Sequence, residues 1–388
     1  MSSASNVGNQ LTIYSSLPLQ GPSGAVSAQI VNGEKLALSE AQGHIGQFKV
    51  SYDSLDDSSP TSSGEWDPGV TATDAKTAAQ DNSTIAYLGD YNSAASAVSL
   101  PIINAAGILQ VSPASPYVGL TSSQDAGQDE PDRFYPTGQR NFARLMPADP
   151  VQAAALVATL RKLHVHHVYV VEDQDPFGMP LAQITASDAE AAGIKVSGMD
   201  SLDLAAATEA TEFSGELDKV RSSGAQAVFF SGGTGVGAVA LWRQLYASNR
   251  HLVLLGSNTM INDKFIAAIG AAAASTYMTT PALPTRLYPP TAARVLAAYK
   301  RAFSETPSAY SLYGYETMSA VLAAIRRAGT QGNDRETVIK QFFQTRDRDS
   351  VLGRYSIKPS GDSTLTTYGV DRIVGGAPTF FAALQLGS

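Results

Sequence analysis

Four glycines fall within six residues of FFSGGTGVGA (229–238), between an apolar run and the helical pattern AVALWRQL. Such an arrangement can cradle phosphate, because glycine lets backbone approach an anion and a helix N-terminus favours negative charge. The spacing fits neither nucleotide loop. A dinucleotide fingerprint needs G-x-G-x-x-G, whereas Gly233, Gly235 and Gly237 give G-x-G-x-G. A mononucleotide loop needs Lys and then Ser or Thr after its last glycine, and here Ala238 and Val239 follow. No cofactor is expected, and the glycines need another explanation.

Other chemistry is equally incomplete. The one histidine cluster, HVHH (164–167), offers imidazoles that suit zinc or copper, but it sits at a helix-to-strand turn without a carboxylate third ligand. His44 and His251 lie before strands, and the chain has no cysteine, so neither thiolate metal sites nor disulfides can form. No metal is expected. A hydrolase of the nucleophile-elbow type would need G-x-S-x-G, which does not occur. Glu172, Asp173 and Asp175 cluster after one strand and are read as acceptors of ligand or interlobe hydrogen bonds, or as a solvated rim. With no catalytic constellation complete, the chain is not expected to be an enzyme.

The elements that would position such loops follow from pattern. The chain has 388 residues, 44% of them hydrophobic, enough for two domains with their own cores. Net charge is −8 with no block of basic residues, which argues against nucleic acid or an anionic membrane as partner. No apolar run reaches membrane-spanning length. The start, MSSASNVGNQ, is small and polar without the apolar core of a signal peptide, and residues 1–8 read as a flexible tether.

From Leu11, short β-branched runs alternate with helical patterns. LTIYSSL, FKVSYD, TIAYLG and ILQVS form a first series, with helices expected at 25–41, 71–80 and 94–105. HVYVVED, IKVSGMD, AVFFSG and LVLLGS form a second, with helices after Gly178, at 209–223 and at 236–248. Alternating βα units predict an α/β fold of two doubly wound parallel-sheet domains. Polar stretches at 121–149 and 279–290 mark junctions, and a GGAP turn predicts a terminal hairpin.

In open parallel sheets, ligands bind beyond the carboxyl ends of the strands. The residues following the strands are LPLQGPSG (17–24), GDYNSAAS (89–96), SPASPY (112–117), EDQDPFG (172–178), SGGTGVG (231–237) and GSNTM (256–260). All are small, polar or glycine-rich. The second contributes Tyr91, Asn92 and Ser93; the Ser93 hydroxyl and the amides of 92–95 could hold a carboxylate, or Ser93 could simply cap its helix. GGTGVG reads as one lip of an interdomain cleft.

PLQGPSG, YLGDYNSAASAVSLPIINAAGILQVSPAS, NFARLMPADPVQAAAL, FGMPLA and YSLYGYETMSAVLAAIRRAG, in that order, resemble the extracellular substrate-binding proteins of ABC transporters. The resemblance implies the type I periplasmic-binding fold and the group of branched-chain amino acid receptors. The most specific element is G-x-x-x-S, followed nineteen residues later by S-P-A. The resemblance implies two lobes joined by three crossovers, near 143, 279 and 353. Lobe one is then 9–142 with 280–352, and lobe two 143–279 with 353–388. It implies that Ser93, Ala114 and Ser115 face a ligand carboxylate. Phe177, Thr234 and Asn258 supply the second lobe's contacts, and Val26 and Leu312 shape an apolar side. It also implies hinge closure on ligand, an extracytoplasmic monomer tethered by lipid upstream, and an ABC permease and ATPase as partners. A sensor of the same fold serving a signalling partner is the alternative. The family's amino-acid binders carry an acidic residue where Asn258 stands, often Tyr at Thr234, and Thr at Pro116. A small organic acid or neutral polar solute is therefore expected over an unmodified branched-chain amino acid.

Overall fold

The structure is a computed structural model describing residues 8–62, 64–176 and 178–386. The chain begins with β1 (Gln10–Leu17), α1 (Gly24–Glu40), β2 (His44–Ile45), β3 (Phe48–Asp56), α2 (Pro68–Gln80), β4 (Thr84–Gly89), α3 (Ser93–Ala105), β5 (Leu109–Ser112) and β6 (Phe142–Arg144). It continues through α4 (Asp149–Lys162), β7 (His167–Glu172), α5 (Met179–Ala191), β8 (Lys195–Ser201), α6 (Ser214–Ser222), β9 (Ala227–Ser231), α7 (Val236–Ser248), β10 (Val253–Gly256), α8 (Asp263–Ile269) and β11 (Thr276–Thr280). α9 (Pro290–Phe303), α10 (Ala309–Ala328), α11 (Arg335–Phe343), β12 (Arg348–Ser350) and β13 (Gly353–Tyr355) follow, and β14 (Thr367–Val374) and β15 (Ala377–Gln385) form the terminal hairpin.

Two compact units result: the chain up to Ala148 with Pro284–Leu365, and Asp149–Leu283 with Thr366 onward. In the first unit the sheet order is β2-β3-β1-β4-β5-β6, parallel except for β2. In the second the order is β15-β14-β11-β10-β9-β7-β8, where β14 and β15 add antiparallel to the β11 edge. Each parallel core has its second strand outside its first, so the direction of winding reverses beside β1 in one unit and beside β7 in the other. Central strands covered on both faces need continuous apolar runs, and every residue of TIAYLG and AVFFS is buried.

The third crossing lies between Leu365 and Thr366 rather than near 353. The intervening segment stays with the first unit because Glu316 of α10 accepts from Arg348 Nε (2.5 Å) and from the Tyr355 hydroxyl (2.8 Å). The other crossings fall at 148/149 and 283/284, a few residues beyond 143 and 279. α6 starts at Ser214 rather than at 209, after an irregular stretch pinned by Gln244 Oε1 accepting from the Phe213 amide. Residues 1–7 of the expected tether lie outside the described residues.

The first unit's core is closed by α10 lying against α1. Both helices carry a glycine where they meet: a Cβ built on Gly314 would stand 2.0 Å from the Ile30 carbonyl oxygen, and one on Gly33 2.2 Å from that of Ser311. Gly314→Ala should therefore lower thermal stability by about 1–3 kcal/mol, the usual cost of overpacking. An unchanged melting temperature would mean that the helices can separate freely, against this packing.

Candidate functional site

In the first unit, winding reverses between β1 and β4, so their carboxyl ends mark the expected ligand position. Loop 89–93 leads directly into α3. Asn92 is the N-cap in extended conformation, yet its side chain makes no cap hydrogen bond, and among the described residues the first-turn amides have no side-chain acceptor. Asn92 Oδ1 is buried and unpartnered. Ser93 Oγ accepts from the Tyr117 amide (3.2 Å), which leaves its own proton to give. Ser93 is thus not a cap. It stitches α3 to the loop after β5, and it can still donate to an anion at the helix N-terminus.

That second loop is close by but turned inward. Ser112 Oγ accepts from the amides of Ala114 (3.0 Å) and Ser115 (2.9 Å) and donates to the Asp90 carbonyl (2.7 Å). Ser115 Oγ also donates to the Asp90 carbonyl (2.9 Å) and pairs with Ser96 Oγ (2.8 Å). Both side chains are buried. The Ala114 and Ser115 amides and the Ser115 hydroxyl, expected to face a carboxylate, donate instead to Ser112 Oγ and the Asp90 carbonyl, which leaves Ser93 and the first turn of α3 as the donors on offer.

Tyr91 and Val26 pack in one small apolar cluster with Leu19 and Tyr310. The Tyr91 and Tyr310 rings lie 6.4 Å apart, centroid to centroid. Burial pushes the Tyr91 phenol up to about 12. Leu312, expected on this apolar side, is instead fully buried in the first unit's main core. Residues two apart on a helix differ by about 200° around its axis, so Tyr310 presents the face that Leu312 cannot.

Beneath these loops lie four aspartates. Asp56, at the end of β3, accepts from the Leu19 amide (2.9 Å) and Gln20 Nε2 (2.9 Å), fixing the loop after β1. Asp74 of α2 accepts from Ser16 Oγ (2.8 Å). Asp90 accepts from the Tyr87 hydroxyl (2.9 Å) and Ser99 Oγ (2.5 Å). Asp57 is fully buried with neither carboxyl oxygen partnered. Burial, reinforced by Asp90, Asp74 and Asp56, pushes Asp57 up to about 8. Burial lifts Asp90 to about 7 against its hydroxyl donors.

In the second unit the reversal point lies between β7 and β9. Asp173, after β7, accepts from the Gly233 amide (2.7 Å), and a Cβ on Gly232 would stand 2.4 Å from the Asp173 carboxyl. A Cβ on Gly237 would stand 2.4 Å from the Leu204 carbonyl oxygen. The glycines therefore admit a neighbouring carboxylate and a loop, and a carboxylate already holds the amide that a phosphate would need. Glu172 is buried and accepts from the Gln174 amide (2.5 Å). Thr234 and Asn258, both half-buried, stand in the loops after β9 and β10 of the same sheet. Phe177 lies outside the described residues.

His164 is exposed in its turn, and the His166 and His167 amides both donate to Gln226 Oε1. Among the described residues no group of three or more His, Asp or Glu side chains is placed to hold a metal ion, and no helix is long and apolar enough to cross a membrane.

Pattern reading overlooked Arg144. It is fully buried at the end of β6 and donates to the carbonyls of Ser115 (2.9 Å) and Tyr117 (2.6 Å) and to Asp362 Oδ1 (2.7 Å). The only signal was a single arginine in the otherwise apolar run of NFARLMP.

Comparison with known proteins agrees with this architecture. The profile of a periplasmic binding protein family matches residues 11–374. A Leu/Ile/Val-binding protein homolog of Brucella melitensis is 25% identical over 365 residues, covering 93% of this chain and 90% of its own. The leucine binding protein LivK of Thermotoga maritima superposes with a TM-score of 0.77 at 21% identity, over 97% of this chain and 99% of its own. A solute binding protein of R. palustris in complex with benzoate superposes with a TM-score of 0.72 at 16% identity, over 96% of each chain. These relatives are solute-binding proteins rather than enzymes. With two reversed-winding α/β units, three crossings and a match over almost its whole length, the chain belongs to the periplasmic binding protein family.

Proposed function

We propose that this protein is an extracytoplasmic receptor that captures a small carboxylate-bearing solute and delivers it to an ABC importer. One observation carries the ligand class. α3 begins with no side-chain cap, among small residues, and the Ser93 proton is free to donate beside it. A carboxylate there gains the helix-terminus field and charge-assisted hydrogen bonds. Tyr91, Tyr310 and Val26 supply an apolar wall for the rest of the solute.

An organic acid suits the second unit better than an unmodified branched-chain amino acid. A buried α-ammonium needs an anionic partner, since an unpaired buried charge is strongly unfavourable. Asn258 is a neutral acceptor, while Glu172 and Asp173 are already engaged by the Gln174 and Gly233 amides. Proteins similar to this chain include both a Leu/Ile/Val-binding protein homolog and, sharing the fold, a benzoate-bound protein, so the fold accommodates either chemistry.

A thermal-shift panel tests this reading. It sets leucine, isoleucine, valine and phenylalanine against their deaminated keto acids and benzoate. A binder at a hundred times its dissociation constant stabilises by about 2.7 kcal/mol. The acids are expected to raise the melting temperature and the amino acids not to; the reverse pattern refutes the organic-acid assignment.

A further inference from the structure

The chain leaves the first unit after Ala148, returns, and leaves it again after Leu365. The last strand before one exit and the last segment before the other are bonded together. The Arg144 amide donates to the Gly361 carbonyl (3.0 Å), and the Ser363 amide to the Arg144 carbonyl (3.2 Å). The Ser363 hydroxyl reaches the Leu145 carbonyl (3.0 Å). Across this contact runs the ion pair of the buried Arg144 Nε with the half-buried Asp362 Oδ1, at 2.7 Å. Burial would raise the Asp362 carboxyl, but the Arg144 charge and hydrogen bond hold it below its ordinary value.

The same guanidinium grips the loop after β5. Nη1 donates to the carbonyls of Ser115 and Tyr117, on either side of Pro116, and Nη2 donates to Thr121 Oγ1. Thr121 Oγ1 in turn donates to Asp362 Oδ1 (3.0 Å). From the other side, the Tyr117 amide donates to Ser93 Oγ. The loop is thus held through its carbonyls by Arg144 and through one amide by Ser93. A planar fork can serve several acceptors at fixed angles, which the point charge of lysine cannot.

We propose that Arg144 is a positioning residue that ties the loop after β5, and through it the Ser93 hydroxyl, to the segment from which the chain leaves the first unit. The position of residues 361–363 is then read out at the N-terminus of α3, so departure of the chain and geometry of the anion-binding turn change together. This rests on the reading of Ser93 and α3 as the carboxylate site.

The test uses the full-length protein and two variants. Breaking one partner of a buried pair destabilises strongly, whereas replacing both with apolar residues of similar size is often neutral. Arg144→Met with Asp362→Leu is therefore expected to melt near the wild type, yet the Tyr117, Leu120 and Thr121 amides should exchange hydrogen at least about tenfold faster in the free protein. Arg144→Lys keeps the charge but not the fork and should show the same local exchange with little global loss. The melting shift produced by benzoate or L-leucine, whichever shifts the wild type, should fall by at least half in both variants. Wild-type exchange at those amides, in either variant that folds, overturns the proposal. If no acid or amino acid of the panel above shifts the wild type, the ligand reading fails, but the exchange measurement still decides the role of Arg144.

Discussion

Stability should fall as pH rises from about 5 to about 8.5, by several kcal/mol. Three fully buried carboxyls drive this: Asp57 and Glu34 are pushed up to about 8, and Asp90 to about 7. Burial is the leading cause for each. Glu34 has one oxygen bonded by the Tyr52 hydroxyl and the other buried without a partner. Asp57 faces three further aspartates. An unfolded carboxyl titrates near about 4, so between that value and the folded one the native protein holds more protons than the unfolded chain. Stability then declines with rising pH, by about 1.4 kcal/mol per unit for each such group as an upper limit. The contribution is complete below the unfolded value and is lost as pH passes the folded values. Asp56 and Asp362 are shifted the other way and contribute stability that is lost only as the solution becomes more acid than the unfolded value, so they do not mask the trend. Asp90 raises Asp57, so their protons leave in two successive steps that belong to the pair, and the slope should be read as their joint titration. Urea denaturation across this range checks the expectation. Glu34→Gln with Asp57→Asn should flatten the slope and raise stability at the alkaline end. A wild-type slope that is flat or rises with pH would mean that the buried acids are compensated by charges absent from this arrangement.

None of those burial effects is visible in the sequence, where Glu34 is one of many acids in helical pattern. What pattern does convey is alternation. TIAYLG and AVFFS are mostly apolar and buried throughout because both sheet faces are covered, and α3 and α7 begin within a residue of their expected starts because strand-end loops of small residues precede them. Long-range pairs are silent in the sequence. The third crossing lies beyond β13 because Arg348 and Tyr355 meet Glu316, a partner some thirty to forty residues away. Side-chain direction is silent too. Ser115 has the right type and place for a ligand contact, but the Asp90 carbonyl takes its hydroxyl. Tyr310 and Leu312 stand in the same quoted run, and only packing against α1 decides which of them reaches Tyr91. The glycines of 232–237 show the same limit: spacing rules out a nucleotide loop, but residue type cannot name the neighbour, because close approach to a carboxylate and close approach to a phosphate need the same residue.

Placing a negative charge at the start of α3 should separate the helix from the site it makes. Ser93→Asp puts a carboxylate in the first turn of a helix that no side chain caps. For the ligand-free protein this favours folding, since an acidic side chain near a helix N-terminus stabilises by about 0.3–1 kcal/mol. Its oxygens can also accept from the Tyr117 amide in place of the lost hydroxyl. For a carboxylate ligand the effect is opposite and larger. The new charge would occupy the donors that the ligand uses and repel it; two unit charges about 4 Å apart at an effective dielectric constant of about 20 interact by about 4 kcal/mol. Discounting for the half-exposed position, affinity for an acid that stabilises the wild type should fall by about a hundredfold or more, which is about 2.7 kcal/mol. Ser93→Ala marks the other limit. It removes one charge-assisted hydrogen bond without adding repulsion, so it should cost about 1.5–3 kcal/mol of affinity. The decisive readout is the pair of melting temperatures, without and with the acid. If α3 is the anion site, Ser93→Asp melts at or above the wild type when free and no longer responds to the acid. If the response survives the added charge, the carboxylate binds elsewhere in the strand-end loops and α3 has only a structural part.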